Sequence, residues 1–307
     1  MGLLGIDIGT THTKVGLFDL EGRLIKMAVR PTESYLDPTG HVYLNADRLW
    51  ETTITCIKEV VEKQDEDVSV IGIASMAETG LLIDRSTGLA RTDLIPWYSR
   101  CAETEADLIA SSDDLYERFK KSGLHASFKY GLAKLLWVKR QDPHLLQNAV
   151  WLSTADFIAF KLTGKMGTDY TLAARTFAFR LDEKRWDEEW IHSFGLLDSL
   201  FPEASPSGTC LGRVTREVGQ HLGLVEGTPV AISGHDHVCA AFAVGATRSG
   251  VVFDSMGTAE TLFGSLDERP LTRADFNTGL SYGCHVLKDH YFWLGGVQSS
   301  GGSVEWL

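Results

Sequence analysis

The segment "GHDHVC" (234–239) places two histidines, an aspartate and a cysteine within six positions. Imidazole and thiolate groups at this spacing are zinc ligands. Asp236 also directly precedes a predicted helix, where a carboxylate suits the N-cap. A third interpretation is a general base, because α/β folds bind ligands where a strand gives way to a helix. No other compact His/Cys pair completes a tetrahedral set nearby, which argues against zinc.

A second segment with chemical potential is "DIGTTHTK" near the N-terminus. A Gly-Thr-Thr turn between two strands exposes successive backbone N–H groups, which bind anionic oxygens. The hydroxyls of Thr10, Thr11 and Thr13 add donors, and Lys14 can offset negative charge. Asp7 is positioned to hold Mg²⁺ through water, because Mg²⁺ sheds its waters reluctantly. The alternative is an ordinary hairpin turn with polar residues.

The segment "FDSMGTAETLFG" repeats this pattern near position 254. Both copies contain an aspartate, a Gly-Thr turn and a second threonine three residues after the first. The repeat suggests two related half-domains, whose facing turns would hold one triphosphate between them.

Three further segments carry polar residues that favour a site only in combination. Glu78 in "ASMAETGLLID" follows a predicted strand, and a solvated turn residue is the simpler explanation. Trp97 and Arg100 occur together in "IPWYSRC", although a lone tryptophan is more often part of the core. In "GTDYTLAARTFAF", Arg175 belongs to what we interpret as a loop entering a packed helix.

The elements that must position these residues begin with three short strands, "LLGIDIG", "TKVGLFD" and "RLIKMAVR", whose short connections demand an antiparallel meander. A helix behind an Asn45 cap and the strands "VSVIGIAS" and "GLLID" follow, so the chain opens β-β-β-α-β. Helices are predicted over "GLAKLLWVKRQDP" and "STADFIAFKLTG". The strand "TPVAISG" then leads into a helix, "DHVCAAFAVGA", capped by Asp236, and "GVVFDSMGTAETLFG" predicts a strand-turn-strand unit.

Composition narrows the function classes. The 307 residues carry a net charge of -12, which argues against a non-specific nucleic-acid binder. The five cysteines include no CxxC pair, so we expect free thiols in a reducing compartment. No segment has the length of a membrane span or the pattern of a signal peptide, and a cytoplasmic protein is expected.

These segments, taken in order, resemble the FGGY family of carbohydrate kinases. "IDIGTTHTKVGLFD" is similar to its first phosphate motif, "WYSRC" to its Trp-x-Asp-x-Arg element, and "KLTGKMGTDYTLAARTFAF" to its Lys-Leu-Thr-Gly segment. "SGHDHVCAAFAVGA" matches the Gly-x-Asp motif, and "DSMGTAETL" the second phosphate motif. The resemblance implies an α/β protein with an RNase-H-like (actin-like ATPase) fold, a mixed β-sheet with flanking helices, and two domains around a cleft.

The resemblance also implies roles for individual residues. Asp236 would be the general base for ATP-dependent phosphorylation of a sugar or polyol hydroxyl, with Mg²⁺ held through water by Asp7. Substrate contacts would come from Ala77, Glu78, Trp97, Arg100, Asp236 and His237. Nucleotide phosphates or their surroundings would be contacted by Thr10, Thr11, His12, Lys14, Gly257, Thr258 and Gly301.

Two departures from the family pattern bear on the substrate. Ala77-Glu78 stands where glycerol kinases have Arg-Glu and xylulokinases have Met-His, so a sugar or polyol larger than glycerol is expected. Ser99 replaces the usual aspartate of "WYSRC".

The domain prediction is 1–246 for the N-terminal domain and 247–307 for the start of a C-terminal nucleotide-binding domain, apparently truncated because no closing element follows the helix predicted to begin in "SSGGSVEWL". A small-molecule partner is expected, with no nucleic acid or membrane, and a homodimer is compatible with these features. Two alternatives stay open: an actin/Hsp70-like nucleotide switch, or a sugar-binding fragment with little catalytic activity.

Overall fold

The computed structural model describes residues 1–62, 67–256, 260–297 and 300. Its strands, in chain order, are β1 (Gly2–Ile8), β2 (His12–Phe18), β3 (Leu24–Pro31), β4 (Tyr35–Leu36), β5 (Val42–Tyr43), β6 (Val68–Ser75), β7 (Gly80–Asp84), β8 (Ala149–Ser153), β9 (Thr168–Asp169), β10 (Phe179–Arg180), β11 (Arg185–Trp186), β12 (Ala204–Ser205), β13 (Cys210–Arg213), β14 (Pro229–His235), β15 (Val252–Met256), β16 (Glu260–Asp267), β17 (Ser281–Cys284) and β18 (His290–Val297).

The α-helices in this part of the chain are α1 (Ala46–Val61), α2 (Glu103–Ala110), α3 (Leu115–Ser122), α4 (Gly131–Gln141), α5 (Thr154–Thr163), α6 (Tyr170–Ala173), α7 (Glu188–Ser193), α8 (Arg216–Leu222), α9 (Asp236–Ala243) and α10 (Arg273–Asn277). Short 3₁₀ turns occur at Pro143–Leu146, Ala174–Thr176 and Asp198–Leu200. Among the described residues, no helix combines the length and apolar character needed to cross a bilayer.

The predicted opening, β-β-β-α-β, is confirmed except that the two-residue strands β4 and β5 occur between β3 and α1. β1, β2 and β3 form an antiparallel meander, and β6 pairs in parallel with β1. β14 lies parallel to β6 on its other side, so the six-stranded sheet runs β13-β14-β6-β1-β2-β3. The carboxyl ends of β1, β6 and β14 therefore meet at one edge of the sheet, where open α/β sheets bind ligands.

The predicted helix boundaries agree with the structure because their end signals are local. The Asn45 side chain caps α1 by accepting a hydrogen bond from Arg48 N. Ser153 and Asp156 form a reciprocal capping box at the start of α5, and Gly164 ends that helix in the left-handed region at φ 70°. Such caps satisfy backbone groups that the first and last turns leave unpaired.

The helix after β14 corrects one prediction. Asp236 is its first residue, and His235 occupies the N-cap position without a side-chain capping bond. The Asp236 carboxylate instead accepts from His237 N at 2.7 Å. Asp236 is therefore not the N-cap, although its carboxylate accepts from an N–H of the first turn and the N-terminus of the helix stabilises its negative charge.

A second sheet, ordered β15-β16-β18-β17, follows α9. β15 and β16 pair antiparallel, so the predicted strand-turn-strand unit is confirmed in its strands. Its core cluster, which includes Phe263 and Phe292, packs against Val238 and Ala241 of α9. The domain boundary near residue 246 stays a prediction, and the helix predicted in "SSGGSVEWL" falls almost entirely outside the described residues.

Candidate active site

A cavity of about 610 Å³ lies where the carboxyl ends of β6 and β14 face the β1–β2 turn and the second sheet. The strand register explains this convergence: Asp7 of β1 and Gly234 of β14 both pair with Ala74 of β6. Of the residues predicted for the site, the cavity is lined by Thr10, Thr11, Ala77, Glu78, Trp97, Asp236 and His237. The tertiary structure thus brings the predicted sugar and phosphate segments to one place.

Asp236 lies in the wall of this cavity with a partly exposed carboxylate. His235 Nε2 is 3.2 Å from its Oδ1, and that side chain is itself buried. Burial raises the pKa of Asp236, but the hydrogen bond and charge of His235, together with His237, lower it to about 2. Asp236 is therefore ionised at neutral pH and able to accept a hydrogen bond from a substrate hydroxyl.

The backbone before Asp236 is held by a buried polar network. Thr171 Oγ1 accepts a hydrogen bond from His235 N at 2.8 Å and donates to Asp169 Oδ1 at 3.1 Å. Gly234 adopts φ 122°, and a Cβ there would stand 2.5 Å from Thr171 Oγ1. Only glycine fits this position, because both the backbone angle and the approach of Thr171 exclude a side chain.

We expect Gly234→Ala to destabilise the protein by about 1–3 kcal/mol beyond the cost of its backbone angle, because the new methyl group overpacks Thr171. Urea denaturation measures this loss. Gly245→Ala is the matched control, since Gly245 has φ 79° with nothing within 4 Å of the built Cβ. We expect that control to lose only about 1–2 kcal/mol. Equal losses in the two variants would contradict the proposed steric contact.

The histidines of the 234–239 segment flank the aspartate as neighbours. Potential ligand atoms of His235, Asp236 and His237 lie within 4.8 Å of one another, so these three could geometrically share a metal ion. Cys239 does not belong to this set, and burial raises its pKa, which disfavours a thiolate. Burial also lowers the pKa of His237, leaving a neutral imidazole beside the cavity at neutral pH.

Glu78 forms a buried ion pair with Arg175 in the wall of the same cavity. Glu78 Oε1 accepts from Arg175 Nε at 2.8 Å and from Nη2, and Arg175 is 1% exposed. Burial raises the pKa of Glu78, but the charges of Arg175, Lys129 and His235 outweigh it and lower the pKa to about 2. The ion pair keeps a carboxylate available to substrate hydroxyls at neutral pH.

The β1–β2 turn has the features of an anion site. Among the described residues, the backbone N–H groups of Thr10 and Thr11 donate to no acceptor. Lys14 Nζ instead lies 3.1 Å from Asp7 Oδ2, and His12 is exposed and lies outside the cavity lining. The prediction that the Thr13 hydroxyl donates to an anion is wrong, because this side chain is buried and its hydroxyl pairs with that of Thr32 at 3.1 Å. Two free N–H groups remain for phosphate oxygens.

Trp97 connects the two halves of the site. Its indole Nε1 donates to Thr10 Oγ1 at 2.9 Å, and its backbone N donates to Thr79 Oγ1 at 3.1 Å. Arg100, predicted with it, lies elsewhere: its side chain is 72% exposed and pairs with Glu103. The structure therefore does not bring Arg100 to the cavity.

The second phosphate motif lies partly outside the described residues, which exclude Gly257, Thr258 and Gly301. Their predicted roles stay predictions. Ser255 and Thr261, which flank that turn, do line the cavity. The strands of the repeated hairpin therefore approach the site from the second sheet.

Among the cavity residues that the sequence analysis did not assign to the site are the basic residues Arg175 and Lys129. Arg175 stands among alanines in "LAARTFAF", and a cation in such an apolar stretch could have signalled a buried partner. Lys129 Nζ lies 5.4 Å from the centroid of the Tyr130 ring. In the described part of the chain no carboxylate lies within 4.0 Å of Lys129.

The chain is similar to known carbohydrate kinases. Residues 2–243 match the model of the N-terminal domain of the FGGY family of carbohydrate kinases. A xylulose kinase of Bacillus subtilis is 25% identical over 99% of this chain, and a glycerol kinase of Acaryochloris marina is 29% identical over 85%. The chain spans 61% and 53% of the lengths of these two relatives.

Solved structures show the same fold. A ligand-bound xylulose kinase of Lactobacillus acidophilus matches with a TM-score of 0.91 at 22% identity, covering 99% of this chain and 61% of that one. A gluconate kinase of the same organism matches with a TM-score of 0.90 at 22% identity, with the same coverage. The predicted mixed α/β, actin-like fold is confirmed, and the chain belongs to the FGGY family of carbohydrate kinases.

Proposed function

We propose that the complete protein transfers the γ-phosphoryl group of ATP to a hydroxyl of a sugar or polyol, with Asp236 as general base. The observation that carries this proposal is the shared cavity, which is lined by Asp236, by the Glu78–Arg175 pair and by Thr10 and Thr11, whose backbone N–H groups donate to no acceptor among the described residues. One set of groups suits phosphate, and the other suits hydroxyls. The proposed base lines the same cavity.

In the proposed reaction, the substrate hydroxyl donates its proton to Asp236 as its oxygen bonds to the γ-phosphorus. The bond from that phosphorus to the bridging oxygen breaks, and ADP leaves with the electron pair. A carboxylate with a pKa of about 2 is a weak base. It suffices in a loose transition state, in which positioning and charge stabilisation supply most of the acceleration.

Asp7 fits the expected Mg²⁺ site. Its Oδ1 is buried without a hydrogen-bond partner in the described part of the chain, and Mg²⁺ prefers such oxygen ligands. Burial raises the pKa of Asp7, Lys14 lowers it, and the nearby charge of Asp236 raises it again. A cation would relieve that repulsion. When bound, Mg²⁺ would neutralise charge on the transferring phosphate oxygens.

The substrate we propose is a sugar or polyol larger than glycerol. Ala77 leaves space where a longer side chain would fill the cavity, and Glu78 presents a carboxylate to hydroxyls. Glycerol kinases have an arginine at the position of Ala77. In this chain Arg175 supplies a guanidinium to the cavity instead, although two of its nitrogens already donate to Glu78. Lys129 adds a donor at the same wall, suited to a hydroxyl or a carboxylate.

A thermal-shift panel tests this proposal with xylulose, gluconate, glycerol and MgATP as separate ligands. We expect xylulose or gluconate to raise the melting temperature, since saturation at 100 times Kd stabilises by about 2.7 kcal/mol. We expect no shift with glycerol. Lys129→Met removes the ammonium charge but keeps an unbranched side chain. It should therefore weaken the melting-temperature shift with gluconate, which carries a carboxylate, more than the shift with neutral xylulose.

A shift with MgATP and with no sugar would contradict the sugar-kinase proposal and support an actin/Hsp70-like nucleotide switch. ADP release provides the second measurement. In the full-length enzyme it should depend on the same sugar that shifts the melting temperature. Sugar binding by the 307-residue chain without ADP release would identify this chain as the sugar-binding portion of a longer kinase.

A further inference from the structure

A fully buried lysine contacts two loops that line the cavity. Lys134 of α4 is 0% exposed, and its Nζ donates to three backbone carbonyls: Glu78 O at 2.6 Å, Ile95 O at 3.0 Å and Pro96 O at 3.0 Å. In the described part of the chain no carboxylate lies within 4.0 Å of this ammonium group. All three of its donors are used by main-chain oxygens.

The three carbonyls belong to the two loops that carry the proposed sugar contacts. One loop contains Ala77 and Glu78, and the other runs from Ile95 to Trp97. Glu78 adopts φ 59°, in the left-handed region that a glutamate seldom enters. Lys134 is the one donor to the Glu78 carbonyl within the described residues. The ammonium group therefore holds a strained peptide whose side chain faces the cavity.

The energetics point to a role beyond filling the core. Burying an ammonium group without a carboxylate partner is costly, and a well-packed apolar side chain is often as stable or more so. Strained backbone and buried charge of this kind cluster where a site must be pre-organised. Both features here converge on the two loops of the cavity.

We infer that Lys134 is a positioning residue for the sugar: by joining the Ala77–Glu78 turn to the Ile95–Trp97 loop, it sets the Glu78 carboxylate relative to the Trp97 indole. This inference rests on the proposed kinase function. It assigns Lys134 mainly to sugar binding, because Lys134 contacts neither Thr10 nor Thr11 and is linked to Thr10 only through the Trp97 indole.

The test is steady-state kinetics of the full-length enzyme carrying Lys134→Met, with xylulose and gluconate as acceptors. Losing a charged hydrogen-bond donor should raise the KM for the sugar roughly 10- to 100-fold. We expect kcat to change less than about threefold and the KM for ATP to change far less than the KM for the sugar, because Lys134 contacts neither the base nor the phosphate turn directly.

Lys139→Met is the matched control on the same helix. Lys139 Nζ donates to two carbonyls, Phe194 O at 2.8 Å and Gly195 O at 2.9 Å, outside the cavity. That variant should lose stability while its sugar KM stays at the wild-type value. An equal rise of sugar KM in both variants, or none in Lys134→Met, would overturn the inference while leaving the kinase function intact.

A pH series on the wild-type enzyme covers the case in which Lys134→Met does not fold. Burial lowers the pKa of Lys134 to about 7, while the facing groups Cys101 and Glu78 raise it and Lys129 lowers it. The sugar KM should therefore rise between pH 6 and 8.5 as the ammonium loses its proton. Lys134→Gln, a neutral donor, should abolish that rise.

A sugar KM that stays flat across this range in the wild type would contradict the positioning role. A wild-type enzyme that phosphorylates neither xylulose nor gluconate would refute the proposed function with these acceptors, and the inference would fall with it. Phosphorylation with an unchanged sugar KM in Lys134→Met refutes the inference alone.

Discussion

Asp236→Asn should lower kcat of the full-length enzyme roughly 10²- to 10⁴-fold, the typical contribution of general base catalysis. The amide has nearly the shape of the carboxylate but cannot take the substrate proton. Its oxygen can still accept from His237 N, as Oδ1 does at 2.7 Å. Binding of xylulose or gluconate, measured by calorimetry, should therefore persist in a variant that hardly turns over.

Asp267→Asn is the control for this experiment. Asp267 lies at the end of β16 with a side chain that is 90% exposed, and its substitution should leave kcat unchanged. An Asp236→Asn enzyme with near-normal phosphorylation would show that another group takes the proton. A variant that lost sugar binding as well would indicate that Asp236 mainly holds the substrate.

Arg175→Met should destabilise the protein by about 3–5 kcal/mol, because it leaves the buried Glu78 carboxylate without its partner. Methionine keeps much of the side-chain volume, so the lost stability comes mainly from the missing charge and only to a small extent from a cavity. Chemical denaturation at neutral pH measures this change. The sugar-dependent shift in melting temperature should disappear as well, since Glu78 loses its orientation.

Arg118→Met provides a matched buried pair outside the proposed site. Arg118 Nη2 pairs with Asp187 Oδ2, and both side chains are less than 10% exposed. This control should lose comparable stability and still bind the sugar. If both variants lose binding equally, the effect of Arg175→Met reflects general destabilisation, and the assigned role of the Glu78–Arg175 pair is wrong.

The pH dependence of stability separates the wild type from Arg175→Met. In the wild type the pKa of Glu78 is lowered to about 2, so its stabilisation is present above the ordinary value of 4.5 and is lost as pH falls toward 2. In the variant, burial dominates and raises that pKa, so protonation should favour the folded state. Acidification from pH 7 to 5 should therefore narrow the stability gap between them. A stability difference between the two proteins that stays constant from pH 7 to 5 would contradict this account.

The parts of this protein that follow from local sequence were predictable. Alternating apolar residues and short turns indicate the β1–β2–β3 meander, and side-chain caps such as Asn45 and Ser153 mark helix ends, because each involves neighbours in the chain. Glycine-threonine turns and the Gly-x-Asp motif likewise lie within a few residues. Their order along the chain sufficed to indicate the family.

The electrostatics of the cavity required the tertiary structure. Glu78 and Arg175 are 97 positions apart, and Lys134 reaches the Glu78 carbonyl across 56 positions. The spacing of apolar residues along the sequence does not predict such contacts, because they depend on how α4 and the 3₁₀ turn after α6 pack beside the sheet. Arg100 shows the converse: it is adjacent to the site in sequence, yet its side chain turns to Glu103.

For the "GHDHVC" segment, too, some features followed from the sequence and others required the tertiary structure. Its position between a strand and a helix, and the identity of Asp236 as the candidate base, were determined by the sequence, because strand and helix patterns are local. Only the tertiary structure decided that His235, not Asp236, takes the N-cap position and that Thr171 holds the peptide before the base. Those outcomes depend on close approach between β14 and a segment 64 residues earlier, a distance that packing alone sets.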